Sequence, residues 1–356
     1  MVVIGNLDIM EKIRNTNIEV LRFLLMASIL LWHVLVHGYD LKGIGSDEFS
    51  YTGKNIPISL FLASIALPAT YCFVFISGYF GMHLRFRKLA ELLIWCVIVS
   101  VCQTLFVKYF LGMDVGMKDL YQSFFPITSH RWWFMTAYVQ LFLMAPFLNF
   151  GMEYMDRKEK LVIIGLIYCV SLFHLLIGEP NSGSSFFGLA FMYLLGRYFH
   201  EYGINDCLIS KNIKKTYILC LICLFGILCF SFYFLGYLRI HKAQKAVFYL
   251  MGFSNPLIVI MAVCLFFITL RFPIRKNKYL NKILAPNLFI YLLTEGFMGG
   301  QIYKKIAIVF ENDKCIGCML FVSVLIICLL IGHIIQNLTK HILIFVVILK
   351  SAIYRV

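Results

Sequence analysis

Residues 17–37, NIEVLRFLLMASILLWHVLVH, set the class of fold, because they form an apolar run long enough to cross a bilayer. A spanning helix needs roughly 20 predominantly apolar residues. This run nevertheless carries Arg22, His33 and His37, and ionisable side chains at that depth are costly and usually face the interior of a helix bundle. The run therefore predicts a membrane helix with a polar, inward-facing edge.

The remainder of the chain has the same composition. Its 356 residues are 61% hydrophobic and 14% charged, and its mean hydropathy of +0.84 exceeds that of soluble domains. We predict an all-α polytopic membrane protein, a bundle of about ten transmembrane helices. It forms a single domain over 1–356, with a cytoplasmic tail at 337–356. The predicted spans are 18–38, 58–82, 89–110, 132–150, 161–178, 186–202, 216–237, 252–270, 286–309 and 315–336.

Lysine and arginine are distributed unevenly between the two sides of this predicted bundle. With the amino terminus inside, the inner segments hold the larger share, including the cluster Arg271, Arg275, Lys276, Lys278 and Lys282. Because cytoplasmic loops carry the excess of basic residues, we expect a plasma-membrane protein with both termini cytoplasmic. The same bias explains most of the net charge of +14. No extended basic face remains outside the bilayer, so we expect no nucleic-acid partner.

Arg22 and His33 share one face of the first predicted helix. Their separation of eleven residues corresponds to three full turns plus about 20°, and to about 16 Å along the axis. A guanidinium binds phosphate or carboxylate groups, whereas an imidazole takes up and returns a proton near neutral pH. That face therefore offers an anion-binding group near the cytoplasmic end and a general base in the outer half. A structural alternative is that Arg22 reaches the headgroups and pairs with Glu19, three positions earlier.

His37 follows His33 by four residues, a spacing at which two histidines can share a metal ion. No third ligand is evident nearby, so we expect no metal site and interpret His37 as an interfacial residue.

Four segments of the chain resemble the acyltransferase-3 family of integral-membrane acyltransferases. NIEVLRFLLMASILLWH is similar to the opening helix of that family, whose signature is an arginine, ten residues and a histidine. FVFISGYF (73–80) is similar to the Ser-Gly-Tyr/Phe end of its second helix. HRWWFMTAYVQLFLMAPFLN (130–149) resembles its Trp-Phe, Tyr and Pro-Phe-Leu pattern, and APNLFIYLLTEGF (285–297) resembles a late helix. The segments follow the family's order and spacing over most of the chain.

The resemblance implies a bundle of about ten helices that transfers an acyl group, usually acetyl from acetyl-CoA, to a carbohydrate hydroxyl at the outer face. The implied partners are acyl-CoA, a carbohydrate acceptor and the lipid bilayer, and no cofactor is permanently bound. His33 matches the family's essential histidine and Arg22 its arginine. We therefore predict a catalytic group of His33, Arg22 and Glu19.

The chain departs from the family pattern in two places. An Arg-x-x-Arg pair often follows the second helix in the family, whereas this chain has Arg85 and Lys88. Many members have a histidine after the late helix's Tyr-Leu-Leu, where this chain has Thr294 and Glu295. The first departure leaves the donor-phosphate contacts open, and the second puts a catalytic role for the late helix in doubt.

Two groups of residues are predicted to bind the substrates. Arg22, Ser77, Arg85 and Lys88 lie at the predicted cytoplasmic mouth, where cationic side chains suit the phosphates of a nucleotide donor. The alternatives are that Arg85 and Lys88 reflect the positive-inside bias, and that Ser77 with Gly78 permits close helix packing. For the acceptor we predict His130, Arg131, Trp132 and Trp133, together with Glu295. The tryptophans could instead form an interfacial aromatic belt.

Two other functions are compatible with the sequence. Intramembrane Arg, His and Glu residues could form the proton relay of a proton-coupled secondary transporter, although related halves and broken helices are not evident. A passive assembly partner is the third possibility, but it has no use for buried charge.

Overall fold

Helices account for nearly all of the ordered secondary structure in this computed structural model. The structure describes residues 15–41, 55–176, 183–204, 212–237, 250–272, 274–296 and 299–353, and these residues contain no strand. The predicted all-α fold is therefore confirmed for this part of the chain. The helices are α1 (Thr16–His33), α2 (Ile56–Ala66), α3 (Ala69–Phe80), α4 (Phe86–Phe110), α5 (Met117–Phe124), α6 (Trp133–Tyr154), α7 (Arg157–Leu176), α8 (Phe186–Tyr202), α9 (Ile213–Tyr237), α10 (Pro256–Leu270), α11 (Lys278–Leu284), α12 (Leu288–Thr294), α13 (Gly299–Asn312) and α14 (Lys314–Ile353).

Several helices begin at a polar residue whose side chain accepts a hydrogen bond from the first turn. The Asn15 side chain accepts from Asn17 N at the start of α1, and Asn55 accepts from Ile58 N at the start of α2. Asn255 accepts from Leu257 N at the start of α10. Such caps satisfy backbone N–H groups that have no partner within the helix.

Helices α3 and α8 approach each other closely at two glycines. A Cβ atom on Gly78 would collide with the carbonyl group of Tyr193, and one on Gly196 would collide with the backbone of α3. Small residues allow such contact between helix backbones in membranes. The structure thus supports the packing alternative for Ser77 and Gly78.

Six described helices or helix pairs are long and apolar enough to cross a membrane, or seven if a broken span is included. The six are Thr16–Gly38, Ile56–Phe80, Phe86–Phe110, Trp133–Tyr154, Ile213–Phe234 and Lys314–Phe345. The predicted number of about ten is therefore not confirmed. Two predicted spans correspond to α8 and α10, which have only 17 and 15 residues. A third, 286–309, is broken: the helix axis turns by 99° between Lys278–Thr294 and Gly299–Asn312.

Polar side chains join the ends of neighbouring helices in the bundle. Asn17 Nδ2 donates to Thr269 O (3.0 Å), which joins the start of α1 to the end of α10. Lys160 Nζ lies 2.6 Å from Glu201 Oε1, which joins the start of α7 to the end of α8. The predicted tail at 337–356 is not separated by a helix break, because α14 continues to Ile353. The terminal residues 1–14 and 354–356 lie outside the described part.

Candidate active site

His33 is the last residue of α1 and lies at the opposite end of that helix from Asn17, which contacts the end of α10. It is 8% exposed. The next five residues, Val34–Gly38, form a π-helical turn, a feature that is frequent at functional sites. Gly38 allows this turn to pack against α13, because a Cβ there would lie 2.5 Å from Tyr303 O.

Glu295 and Tyr303 both contact Nδ1 of the His33 ring. Glu295 Oε2 lies 2.8 Å from His33 Nδ1. The hydroxyl of Tyr303, on α13, donates to the same carboxylate oxygen over 2.6 Å and lies 3.0 Å from Nδ1. The carboxylate accepts from both groups when Nδ1 carries the proton. That arrangement leaves His33 Nε2 with a free lone pair for proton transfer.

This geometry is that of an oriented general base. A carboxylate that binds one imidazole nitrogen fixes the ring and its tautomer, and stabilises the imidazolium that forms when the other nitrogen takes up a proton. The side chains of His33 and Glu295 are 10% and 23% exposed, so the pair is largely buried but still partly accessible. Glu295, which directly follows the late helix and was predicted to bind the acceptor, thus contacts His33 instead.

Gln103, on α4, fixes the backbone at the helix break that carries Glu295. Its Nε2 atom donates to the carbonyls of Leu292, Leu293 and Glu295, each at 3.0 Å. These carbonyls lie at the end of α12, where no further helical turn supplies N–H donors. Gln103 is a functional candidate that the sequence analysis missed, although an amide within an apolar span is a detectable signal.

The four residues of segment 130–133, which are predicted to bind the acceptor, lie in different environments in the structure. His130 is exposed, with φ of 53°. Arg131 Nη2 donates to Thr104 Oγ1 (2.9 Å), next to Gln103 on α4. Trp132 is completely buried and its indole lies against Gly296, whereas Trp133 is partly exposed and stacks on Phe253 at 5.6 Å. The buried ring of Trp132 cannot stack on a sugar.

Glu19 and Arg22 lie together, away from the histidine. Arg22 Nη1 is 2.8 Å from Glu19 Oε1, with side-chain exposures of 27% and 2%. Because α1 is unbroken, Arg22 and His33 share a face, and the buried Met26 lies between them. The structure does not bring Glu19 to His33; it makes Glu19 the partner of Arg22.

The remaining predicted donor-binding residues are Ser77, near the end of α3, and Arg85 and Lys88, at the start of α4. Ser77 Oγ is 3.2 Å from Tyr138 OH and donates to Phe73 O (3.3 Å). Arg85 and Lys88 are exposed at the start of α4. None of the described contacts of Ser77 and Arg85 involves His33 or Glu295.

Tyr303 was also missed by the sequence analysis. It lies on α13 beyond the helix break, and no pattern in the sequence links it to His33.

A family model described as an acyltransferase domain matches residues 15–332. Because this match covers most of the chain, the protein belongs to the acyltransferase-3 family and is a multi-pass membrane protein. A comparison with curated proteins found no match, and neither did a comparison with solved structures.

Proposed function

We propose that this acyltransferase transfers an acetyl group from acetyl-CoA to a hydroxyl of a cell-surface polysaccharide or of a lipid-linked glycan precursor. The observation that carries the proposal is the 2.8 Å contact between His33 Nδ1 and Glu295 Oε2, which leaves Nε2 available as a base. Family membership supports acyl transfer in general. The donor and the acceptor are parts of the proposal.

The reaction needs one base and no external redox partner. His33 Nε2 removes the proton of the acceptor hydroxyl, and the oxygen attacks the thioester carbonyl carbon. The tetrahedral intermediate then collapses, the carbon–sulfur bond breaks, and the imidazolium returns its proton to the leaving thiolate. The products are an O-acetyl ester and free coenzyme A. In the alternative sequence, Nε2 first holds the acyl group itself and passes it to the alcohol.

Arg22 is positioned to bind the phosphates of the proposed acyl donor. Its guanidinium is partly exposed on the face of α1 that carries His33, about 16 Å away along the axis. That separation fits a long thin donor whose phosphates stay at one end while its thioester reaches the histidine. We place the donor at the cytoplasmic end and the acceptor at the outer face of the plasma membrane.

The proposal is tested by mass analysis of surface glycans from cells with the gene, without it, and with a His33→Ala version. We expect the mass of one acetyl group per modified sugar to disappear in the last two strains. His341→Ala, which changes an exposed histidine on α14, is the matched control and should retain the modification. Wild-type O-acetyl content with His33→Ala would exclude the role of His33. Solute counterflow in proteoliposomes without acyl-CoA would favour the transporter instead.

A further inference from the structure

A polar cavity of about 390 Å³ is lined by residues of α6, α7 and α8. Its lining residues are Met152 and Glu153 near the end of α6, Lys160 in the first turn of α7, and Arg197, His200 and Glu201 in α8. All of these side chains except that of Met152 are polar or charged. The cavity therefore suits a ligand that carries charge or hydrogen-bonding groups.

Arg197 is a lining residue whose charge has no protein partner. Its Nε atom is buried without a hydrogen-bond acceptor, and within the part of the chain that the structure describes no carboxylate forms an ion pair with its guanidinium. Leaving a buried donor unsatisfied costs free energy, and more so when the group is charged. The side chain is only partly buried and lines the cavity, so a ligand anion can reach it.

The acidic residues of the cavity do not neutralise Arg197. Glu201 is paired with Lys160, whose Nζ lies 2.6 Å from Oε1 and 2.7 Å from Oε2. Glu153 is exposed, so that solvent and salt screen its charge. Arg197 thus remains available to an anion.

Two glycines bring Arg197 to the end of α3. Gly196, the residue before it, lets α8 pack against α3, because a Cβ there would lie 2.7 Å from Tyr79 N. Gly81 ends α3 with φ of 74°, and a Cβ on it would lie 3.0 Å from Arg197 Nη1. The guanidinium therefore lies beside Gly81, four residues before the exposed Arg85.

We propose that Arg197 binds a phosphate group in this cavity. A guanidinium matches two oxygens of a phosphate with parallel hydrogen bonds. A phosphate also has further oxygens for His200, an exposed residue of the same lining, whereas a carboxylate has only two. Since one water takes up about 30 Å³, a cavity of about 390 Å³ has room for more than one small anion. The phosphate group accordingly belongs to a larger molecule.

Two kinds of molecule bring a phosphate group to a membrane enzyme of this class. Acetyl-CoA carries a 3′-phosphate besides its diphosphate, so Arg22 need not bind all the phosphates of the donor; this source rests on the proposed function. An anionic phospholipid such as phosphatidylglycerol carries a phosphate in its headgroup. The two sources share the chemistry that Arg197 recognises, and binding measurements separate them.

The site is tested by measuring ligand binding to the detergent-purified protein. The probes are coenzyme A and dioctanoyl phosphatidylglycerol, each compared with a counterpart that lacks phosphate, pantetheine and dioctanoylglycerol. For the source that occupies the cavity, we expect Arg197→Gln to raise the Kd of the phosphate probe about 10- to 100-fold, as for a lost charged hydrogen bond, and to leave the counterpart unchanged. Arg275→Gln, which changes an exposed arginine outside the cavity, is the matched control and should stay within about twofold.

A rise in Kd for coenzyme A alone would identify the acyl donor as the source, and a rise for phosphatidylglycerol alone would identify the lipid. An unchanged Kd for both phosphate probes, in Arg197→Gln with a wild-type melting temperature, would overturn the inference. An equal rise in Arg275→Gln would overturn it as well. If coenzyme A binds through Arg197 but acetyl-CoA gives no acetylated glycan, the proposed function fails and the phosphate site stands.

The wild-type protein provides a second measurement that needs no folded variant. Inorganic pyrophosphate and sodium chloride are added separately, at equal ionic strength, to protein with its phosphate probe bound. We expect pyrophosphate to displace the probe and chloride to leave it bound, because only the former offers paired phosphate oxygens to a guanidinium. Equal displacement by the two salts, or by neither, would overturn the inference.

Discussion

Glu19 and Arg22 form an ion pair within one turn of α1, with 2.8 Å between Oε1 and Nη1, and the carboxylate is the more deeply buried partner. Removing one partner of a buried pair is strongly destabilising, by about 3–5 kcal/mol in fully buried cases. The activity of Arg22→Ala alone would therefore not distinguish a loss of stability from a loss of donor binding.

A double variant separates the two roles of Arg22. In Arg22→Ala with Glu19→Gln no carboxylate charge is left buried, so we expect the protein level to recover relative to Arg22→Ala. The KM for acetyl-CoA should remain raised by about tenfold or more, as for a lost charged hydrogen bond. Steady-state kinetics with detergent-purified enzyme gives both values. If the KM for acetyl-CoA returned to the wild-type value together with the protein level, Arg22 would have only a structural role.

Glu295→Ala should remove the orientation of His33 and the charge that stabilises its imidazolium. We expect kcat to fall roughly 10²- to 10⁴-fold, the range of a placed general base, with little change in either KM. Glu295→Gln can still accept from Nδ1 through its amide oxygen and should lose less. Release of coenzyme A measures both. A wild-type kcat for Glu295→Ala would show that the carboxylate has no part in proton transfer.

Tyr303→Phe removes one of the two described hydrogen bonds to Glu295 Oε2. A hydrogen bond to a charged group contributes about 1.5–3 kcal/mol, so we expect kcat to fall by about 10- to 100-fold. The comparison is Tyr233→Phe, which changes an exposed tyrosine on α9 and should be neutral. An equal effect of the two variants on kcat would contradict a role for the Tyr303 hydroxyl.

Gly78→Ala should weaken the contact between α3 and α8. The new methyl group would collide with the carbonyl of Tyr193, and overpacking typically costs about 1–3 kcal/mol. Gly226→Ala is the control, because a Cβ there meets no atom within 4 Å. We expect a lower melting temperature in detergent for the first variant only, with activity falling in proportion to folded protein. Retained stability with raised donor KM would favour ligand binding by this segment.

The sequence predicts those features that depend on local pattern. Apolar runs predict the helices, and the spacing of Arg22 and His33 predicts their common face because α1 is regular. Segments of 15 and 17 residues are harder to assign, because length alone does not separate a short span from a buried helix.

The partners of His33 could not be predicted in this way. Glu295 lies at a break between α12 and α13, where helical periodicity ends, and only tertiary packing brings it to His33. The sequence alone therefore predicts Glu295 only as a residue that binds the acceptor. Tyr303 and Gln103 reach the same place from two other helices, and sequence distance carries no information about such convergence.

The π-helical turn at Val34–Gly38 lies between His33 and the chain that follows it. Such a turn holds one residue more than an α-helical turn, and each residue rotates a helix by about 100°. Loss of that one residue would therefore reorient His37 and everything after it while leaving the imidazole of His33 in place. Because Gly38 packs on Tyr303 O and His37 stacks on the Tyr303 ring at 5.9 Å, the same loss would also displace the hydroxyl that donates to Glu295. The register of this one turn thus links His33 to the carboxylate that contacts it.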